Sequence, residues 1–478
     1  MKTIGKILCI SFMLLSMSAW ALKPVTIKGK VDFANKGLVR VYVYEDLITY
    51  KRTQIQQADI KEDSTFSLQI QIEETQLIEL AYNMVAGTLF VEPEKTYQLH
   101  LSADTRFLPY IDATIMGGNL LVKFDHVDTA ELNYKIARFD RYYDYFCINY
   151  GEFLYTNMTQ EHYDSLVNML KVRFPDNYNP LNYYSTYIHY RYAELDRMFY
   201  SKNKLKIYNQ YLTDNNYIHY NNIAYMEFFN NFFDKYLYGT SKYIEKSMLY
   251  NNINNKRNYY RLLDALGKDP ILVNEVIREM VLIKGLGEIY DNDEFSQENI
   301  LFLLNQMTNA TKFVQHKQMA ENQIKQLTKL RPGSVAPNFE VKDVYRVKVT
   351  LDDYKGKYVF IHFFATYNVE SIREMLILKD MYAHLKDSLE IVSVMLDFEY
   401  SKLYHFVNEY KDFDWTFVHC DGNFAMIDSY DAYSLPMGVL IDAKGKIIAC
   451  PTKSVSDGLL MQIYTLFPAM EEKSKLEK

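Results

Sequence analysis

The stretch YVFIHFFATYNVESIREM, residues 358–375, decides the fold of the C-terminal part of the chain. Its first eight residues, Tyr358 to Ala365, form a nearly continuous apolar run, which is typical of a strand buried on both faces of a sheet. A helical pattern follows from Ser371 to Lys386, and Leu389 to Leu396 form a second apolar run. Further predicted elements are a helix over Ser401–Tyr410, a hairpin around residues 442–445 and a helix after Asp457. This order predicts an α/β sheet covered by helices on both faces.

Two regions with other patterns precede this one. Residues 22 to about 110 alternate apolar and polar side chains in short runs separated by turn residues, which predicts a small antiparallel β-sandwich. The clearest runs are Val25–Val31, Leu38–Val43, Phe66–Ile72 and Tyr97–Leu101. From about residue 119 to residue 330 the apolar spacing becomes that of helices. The sequence Arg331-Pro332-Gly333 then marks the clearest boundary in the chain.

These patterns predict a multidomain α+β protein. Its parts are a signal peptide at 1–21, a β-sandwich-like domain at 22–112, an all-α domain at 113–330, an α/β domain at 331–470 and a charged tail at 471–478. In the helical part, Asp269-Pro270 places a proline just inside the start of a helix over Ile271–Ile289. Ser296 is expected to open another helix, which ends near Ala310.

The first residues have the pattern of a secretory signal. Lys2 and Lys6 provide the charged start, residues 7–17 provide a short apolar segment, and Ala19-Trp20-Ala21 is a small-residue cleavage site. We expect cleavage after Ala21. The apolar segment is too short to span a bilayer as a stable helix, and no later stretch is a transmembrane candidate. The sequence therefore predicts a soluble, exported protein.

Composition leaves two interpretations of the aromatic residues. The chain has 43 Tyr and 28 Phe against 17 Gly. The tyrosines could form a surface for glycans or peptides, or they could pack between helices with each hydroxyl group finding a partner. The formal net charge of −7 becomes more negative when the signal with its two lysines is removed. This mild acidity argues against nucleic acid as a partner, because nucleic-acid binding needs a basic surface.

Cysteine usage excludes a disulfide scaffold. Without the signal the chain keeps Cys147, Cys420 and Cys450, an odd and scattered set. No C-x-x-C or H-E-x-x-H spacing and no glycine-rich phosphate loop is present, so we predict no metal site and no cofactor.

Three segments carry a resemblance to a known family. They are PGSVAPNF at residues 332–339, LDDYKGKYV at 351–359 and SLPMGVLID at 434–442. In this order the segments resemble the exported thioredoxin-like proteins of the TlpA and ResA type, in the redoxin group. The resemblance implies a thioredoxin-like domain at 331–470, a cis-proline at Pro436 and thiol-disulfide oxidoreductase activity at the family level. The β-then-helical N-terminal half resembles extensions found on such proteins in Bacteroidetes, which implies the periplasm or cell envelope of a Gram-negative bacterium.

The family's active-site pattern is where this chain departs. The pattern F-W-A-x-W-C-x-x-C-R-x-E aligns with residues 363–374, and it places Asn368 and Ser371 at the two cysteine positions. Disulfide exchange needs one thiolate that attacks and a second thiol that resolves the mixed disulfide, and neither residue supplies one. Asn368 is instead a good helix N-cap. Glu374 matches a family carboxylate, and without thiols we expect it to be a charge on the helix surface.

The resemblance also implies a groove beside these positions, since the family's cis-proline borders one that holds an extended polypeptide. The groove candidates are Tyr367, Asn368, Ser371, Leu435 and Pro436. With no catalytic residue assigned, the leading hypothesis is a non-catalytic binding or scaffolding protein with an unknown protein or peptide partner.

The alternative is a thiol-disulfide oxidoreductase that uses a non-standard cysteine, Cys420 or Cys450. His419 precedes Cys420, but neighbours in a strand point to opposite faces, so His419 is a poor activator. A serine hydrolase with Ser371 as nucleophile would need a base and an oxyanion site. His362 is the nearest candidate base, and we expect its side chain to face the core or one face of the sheet.

Overall fold

The computed structural model describes most of the chain. The described residues are 22–34, 36–82, 85–103, 120–126, 128–156, 158–213, 217–397 and 399–466. The predicted signal peptide and the predicted charged tail lie outside them.

The N-terminal region is a β-sandwich of two four-stranded sheets, with strand orders β4-β1-β7-β8 and β3-β2-β5-β6. The strands are β1 (Lys23–Val31), β2 (Leu38–Tyr44), β3 (Arg52–Asp59), β4 (Thr65–Ile72), β5 (Gln76–Tyr82), β6 (Val85–Val91), β7 (Thr96–Ala103) and β8 (Leu120–Phe124). Apolar side chains from alternate positions of both sheets, among them Val25, Val39 and Leu99, form one shared core. The period-two sequence pattern places them on the inner faces.

Two strands of the sandwich differ from the expected arrangement. β1 pairs antiparallel with β4 but parallel with β7, and the chain between β1 and β7 supplies the long crossover that a parallel pair needs. β8 lies within the stretch predicted to be helical, and it pairs with β7. It passes β6 so closely that a Cβ atom on Gly87 would lie 2.1 Å from the carbonyl oxygen of Leu120. A glycine is therefore required at this crossing.

Ten α-helices of the described chain form the central region. They are α1 (Leu132–Thr156), α2 (Gln160–Arg173), α3 (Tyr183–Phe199), α4 (Lys204–Tyr211), α5 (Ile223–Phe232), α6 (Lys246–Tyr250), α7 (Tyr259–Leu266), α8 (Glu275–Glu288), α9 (Gln297–Ala310) and α10 (Val314–Thr328). Asparagine side chains cap the N-termini of several: Asn182, Asn203, Asn222, Asn258 and Asn274. These five asparagines thus have a structural role at helix starts.

One predicted helix start is wrong. α8 begins at Glu275 and is capped by Asn274, whose side-chain oxygen accepts the N–H of Val276 at 2.9 Å. The side-chain oxygen of Asp269 instead accepts the N–H of Ile271, which closes a turn that contains Pro270. The predicted start of α9 at Ser296 is confirmed.

Tyrosines fill much of the core of the helical region. The Tyr187 hydroxyl donates to Asp140 at 2.9 Å, Tyr236 donates to Asp269 at 2.9 Å, and Tyr259 donates to Glu279 at 2.6 Å. All three rings are buried. Packing between helices, with each hydroxyl paired, therefore accounts for these tyrosines without a glycan surface.

The C-terminal region is a seven-stranded sheet of order β10-β9-β13-β12-β11-β14-β15. The strands are β9 (Glu340–Asp343), β10 (Lys348–Thr350), β11 (Tyr358–Phe364), β12 (Leu389–Met395), β13 (Thr416–His419), β14 (Met437–Ile441) and β15 (Ile447–Ala449). The helices are α11 (Val369–Leu385), α12 (Ser401–Glu409), α13 (Phe424–Tyr430) and α14 (Leu459–Tyr464). β11 lies between β12, which is parallel to it, and β14, which is antiparallel. Alternate residues of β11 enter separate cores on the two faces, so the predicted fold class is confirmed.

Candidate functional site

The candidate site is the junction where β11 ends and α11 begins. Asn368 is the N-cap of α11, and its Oδ1 accepts the backbone N–H of Ser371 at 2.8 Å. The Ser371 hydroxyl donates to the same oxygen at 3.1 Å. The two residues that the sequence pattern predicts at the family's cysteine positions are therefore joined by hydrogen bonds. Ser371 is fully buried and Asn368 is half-buried, so only Asn368 of the pair offers surface to a ligand.

The same asparagine also contacts the proline loop. The Leu435–Pro436 peptide bond is cis, and the Asn368 Nδ2 donates to the carbonyl oxygen of Leu435 at 3.2 Å. Tyr367, Leu435 and Pro436 are half-buried. The structure thus brings Asn368 against Leu435, with Tyr367 and Pro436 next to them in the chain, whereas Ser371 lies buried beneath them. We call the surface between the first turn of α11 and this loop the Pro436 groove.

A buried carboxylate holds the turn that precedes Asn368. Asp397, which follows β12, accepts the backbone N–H of Thr366 at 2.7 Å and the Thr366 hydroxyl at 2.6 Å. Lys402 lies 3.2 Å from the same carboxylate. Asp397 is not among the site residues that the sequence predicts. The sequence does contain a sign of this role, since Asp397 follows a buried strand. Parallel strands end at the same edge of a sheet, so a polar residue there lies near the end of β11.

The expectation that Glu374 is a surface charge is wrong. Its side chain is buried, and its Oε1 accepts the backbone N–H of Val455 at 3.0 Å. The Oε2 lies 3.7 Å from Nε2 of His362, which is fully buried. The reason is helical spacing, since Ser371, Glu374 and Met375 lie on the stripe of α11 that faces the sheet.

The geometry does not assemble a serine hydrolase site. The Ser371 hydroxyl bonds to Asn368, and neither ring nitrogen of His362 has a hydrogen-bond partner within the described structure. His362 stacks between Phe360 and Phe364 on the strand. It therefore does not activate the serine hydroxyl as a general base must.

The remaining thiols do not form a redox pair in the described structure, where Cys147, Cys420 and Cys450 are all free. Burial raises the pKa of Cys420 to about 12 and the pKa of Cys450 to about 11. His419 packs against Tyr400, whereas Cys420 belongs to the core on the other side. Both thiols are therefore held in the protonated, unreactive form at neutral pH.

The β-sandwich contacts the segment that leads into the Pro436 groove. Arg52 donates to the Tyr433 hydroxyl at 2.7 Å, and Tyr433 in turn bonds to Asp428. The Tyr42 hydroxyl also donates to Asp428, at 3.0 Å. The Arg40 guanidinium stacks 3.6 Å from the centre of the Phe424 ring. The sandwich therefore holds α13 and the residue two positions before Leu435.

Metal and membrane features are absent from the part of the chain that the structure describes. There, no three or more His, Cys, Asp and Glu side chains are grouped so that they could hold a metal ion. No described helix is both long enough and apolar enough to span a bilayer.

Replacing Asn368 by Ala should destabilise the C-terminal domain by about 1 kcal/mol or more, because the helix loses its cap and the proline loop loses a bond. From residue 22 onward Trp415 is the only tryptophan, so its fluorescence during urea unfolding reports on this domain alone. Asn368→Ser keeps a capping oxygen and should lose less stability. Equal losses in the two variants would contradict the assigned role of the cap.

Comparison with known proteins places this site in a family. Residues 332–450 match the model of the AhpC/TSA family. The thiol-disulfide oxidoreductase ResA of Bacillus cereus is 34% identical over 141 residues, which are 28% of this chain and 80% of that protein. The ResA of Bacillus subtilis is 30% identical over 130 residues, 27% of this chain and 71% of that protein. The solved thioredoxin domain of a thiol-disulfide oxidoreductase from Bacteroides vulgatus has 28% identity, covers 28% of this chain and 97% of the solved chain, and gives a TM-score of 0.27. Through its C-terminal region this chain belongs to the thioredoxin-like redoxins of the TlpA/ResA type.

Proposed function

We propose that this protein is a non-catalytic, exported member of its family that holds an extended segment of a partner protein in the Pro436 groove. The observation that carries the proposal is the hydrogen-bonded pair of Asn368 and Ser371 at the start of α11. These residues keep the turn folded and supply no sulfur.

The chemistry of the family activity fails at this pair. A thiolate must attack the substrate disulfide, and a second thiol must release the enzyme from the mixed disulfide. A carboxamide has no ionisable nucleophile. The Ser371 hydroxyl is buried and already donates to Asn368, so it does not replace a resolving thiol.

The alternative, an oxidoreductase that uses Cys420 or Cys450, has less support. A reactive cysteine needs a lowered pKa and access to solvent. Burial raises the pKa of both thiols, and the side chain of Cys420 is buried in the core of the domain.

A binding role fits what the groove retains. Asn368, Leu435 and Pro436 leave part of their surface exposed, and one hydrogen bond, from Asn368 to Leu435, joins the turn to the proline loop. A rigid surface loses little conformational entropy when a partner binds. The contacts of Arg52 and Tyr42 with Tyr433 and Asp428 add a second support from the β-sandwich.

The proposed location is the periplasm or cell envelope of a Gram-negative bacterium. The signal pattern of Lys2, Lys6 and Ala19-Trp20-Ala21 supports export, and the resemblance of the N-terminal half to extensions found in Bacteroidetes supports the Gram-negative envelope.

An insulin-reduction assay tests the lack of redox activity. We expect no dithiol-dependent turnover from the chain that starts at Leu22, because no cysteine pair is present at the start of α11. The double variant Asn368→Cys/Ser371→Cys should gain turnover, whereas each single variant should stay at background because it lacks either the attacking or the resolving thiol. Turnover by the unmodified chain comparable to that of an active relative would show that the protein is an enzyme.

Alkylation with iodoacetamide tests the remaining cysteines. Because the thiolate is the reacting form and burial raises the pKa of Cys450 to about 11, its rate should increase about ten-fold per pH unit up to about pH 11. Cys420, with its pKa raised to about 12, should react more slowly still in the folded protein. A rate that levels off below about pH 8.5, the ordinary range of a free thiol, would favour the oxidoreductase alternative.

Site-specific photo-crosslinking tests the groove. A photoreactive amino acid at Leu435 should give discrete cross-linked products in envelope preparations, because this position borders the Pro436 groove. Leu376 on α11 is a matched control, since it is half exposed and lies on the solvent side of the same domain. The same products from both positions, or none from Leu435, would count against a partner in the groove.

A further inference from the structure

The solvent-facing side of α1 is unusually apolar. This helix of 25 residues buries Ile136, Phe139, Tyr143 and Phe146 along one side. On the other side, Tyr145 is 64% exposed and Ile148 is 83% exposed. No large apolar side chain among the described residues is more exposed than Ile148. Tyr145 and Ile148 are three residues apart and therefore neighbours on the helix surface, and we infer an interaction surface from this exposed apolar pair.

Two charges complete a line of four side chains on this face. Arg141, Tyr145, Ile148 and Glu152 follow one another at steps of four, three and four residues, so they form one stripe along the helix. Arg141 and Glu152 are both exposed. The spacing of the four residues is the same when read from either end of the stripe. One end of the stripe carries a positive charge and the other end a negative charge.

This arrangement is complementary to itself. If a second α1 lies antiparallel on the first, Arg141 of each copy meets Glu152 of the other. Tyr145 of each copy then packs on Ile148 of the other. An apolar centre flanked by paired charges is the usual composition of a protein interface.

We propose that the protein forms a two-fold symmetric dimer through antiparallel pairing of α1 with α1 of a second copy. Such a contact is isologous, because the same patch serves both subunits. Stable interfaces bury roughly 1,200–2,000 Å² in total, which is more than four side chains on each subunit provide. We take the exposed Met169 and Val172 of the neighbouring helix α2, which packs with α1 in one core, as the further apolar area that the contact needs.

A lipid surface fits this face less well. Asp144 and Glu152 are exposed on the same side of α1 as Ile148. Their carboxylates oppose binding to anionic lipid headgroups. The second copy, in contrast, offers Arg141 as a partner for Glu152.

Sedimentation velocity over a concentration series tests the dimer. The chain from Leu22 onward should show a monomer–dimer equilibrium, and Ile148→Glu should raise its dissociation constant about ten-fold or more, since it places two like charges at the centre of the contact. Ile148 is exposed, so the change should leave the circular dichroism spectrum unaltered. The control is Val314→Glu on α10, where the side chain is 78% exposed, and it should not change the dissociation constant.

Charge reversal tests the pairing itself. Arg141→Glu and Glu152→Arg should each weaken the dimer, because like charges then face one another in both symmetric pairs. The double variant should recover most of the affinity, because both pairs form again with the signs exchanged. A monomer at all concentrations, a dimer insensitive to Ile148→Glu, or no recovery in the double variant would overturn the proposal. Binding of a monomer to phosphatidylglycerol vesicles that Ile148→Glu abolishes would assign the face to lipid and would also overturn it.

Discussion

The side-chain amide of Asn368 bonds in two directions, and the arrangement of the C-terminal site depends on both bonds. Its oxygen accepts from Ser371 and closes the first turn of α11, and its nitrogen donates to Leu435 beside the cis-proline. Because a carboxamide carries acceptor and donors on one rigid group, it can hold a helix start and a neighbouring loop together. Asn368 therefore links the start of α11 to the loop that leads into β14 by hydrogen bonds alone.

Beneath this junction, the polar side chains of Glu374, His362 and Asp397 are buried. Glu374 is held by the backbone of Val455 next to the buried ring of His362, and Asp397 holds Thr366. Burying a carboxylate is unfavourable unless hydrogen bonds compensate for the lost water, and each of these has at least one backbone N–H as a partner. These groups position the turn before Asn368 and the face of α11 below it, which is a structural role that needs no thiol.

Local features of the chain were predictable from sequence. The strand β11, the cap at Asn368 and the proline segment depend on residues close together in the chain, and each has its own pattern. The burial of Glu374 follows from its place on the inner stripe of α11, but its hydrogen-bond partner is Val455, 81 residues away, and the role of Asp397 depends on Thr366, 31 residues away. β8 was missed for the same reason, since its five residues are recognisable as a strand only from their pairing with β7.

The contact between the sandwich and α13 has a consequence for how such proteins can evolve. Arg40 is nearly fully buried, and it lies over Phe424 of the C-terminal domain. A foreign C-terminal domain without Phe424 and Asp428 would remove the ring that covers this guanidinium and the nearby carboxylate, and would leave Arg40 with its bond to Tyr42 of the sandwich. The two parts of the chain are therefore not interchangeable modules. A substitution at Phe424 or Asp428 should therefore be accompanied by changes at Arg40 or Tyr42 of the sandwich.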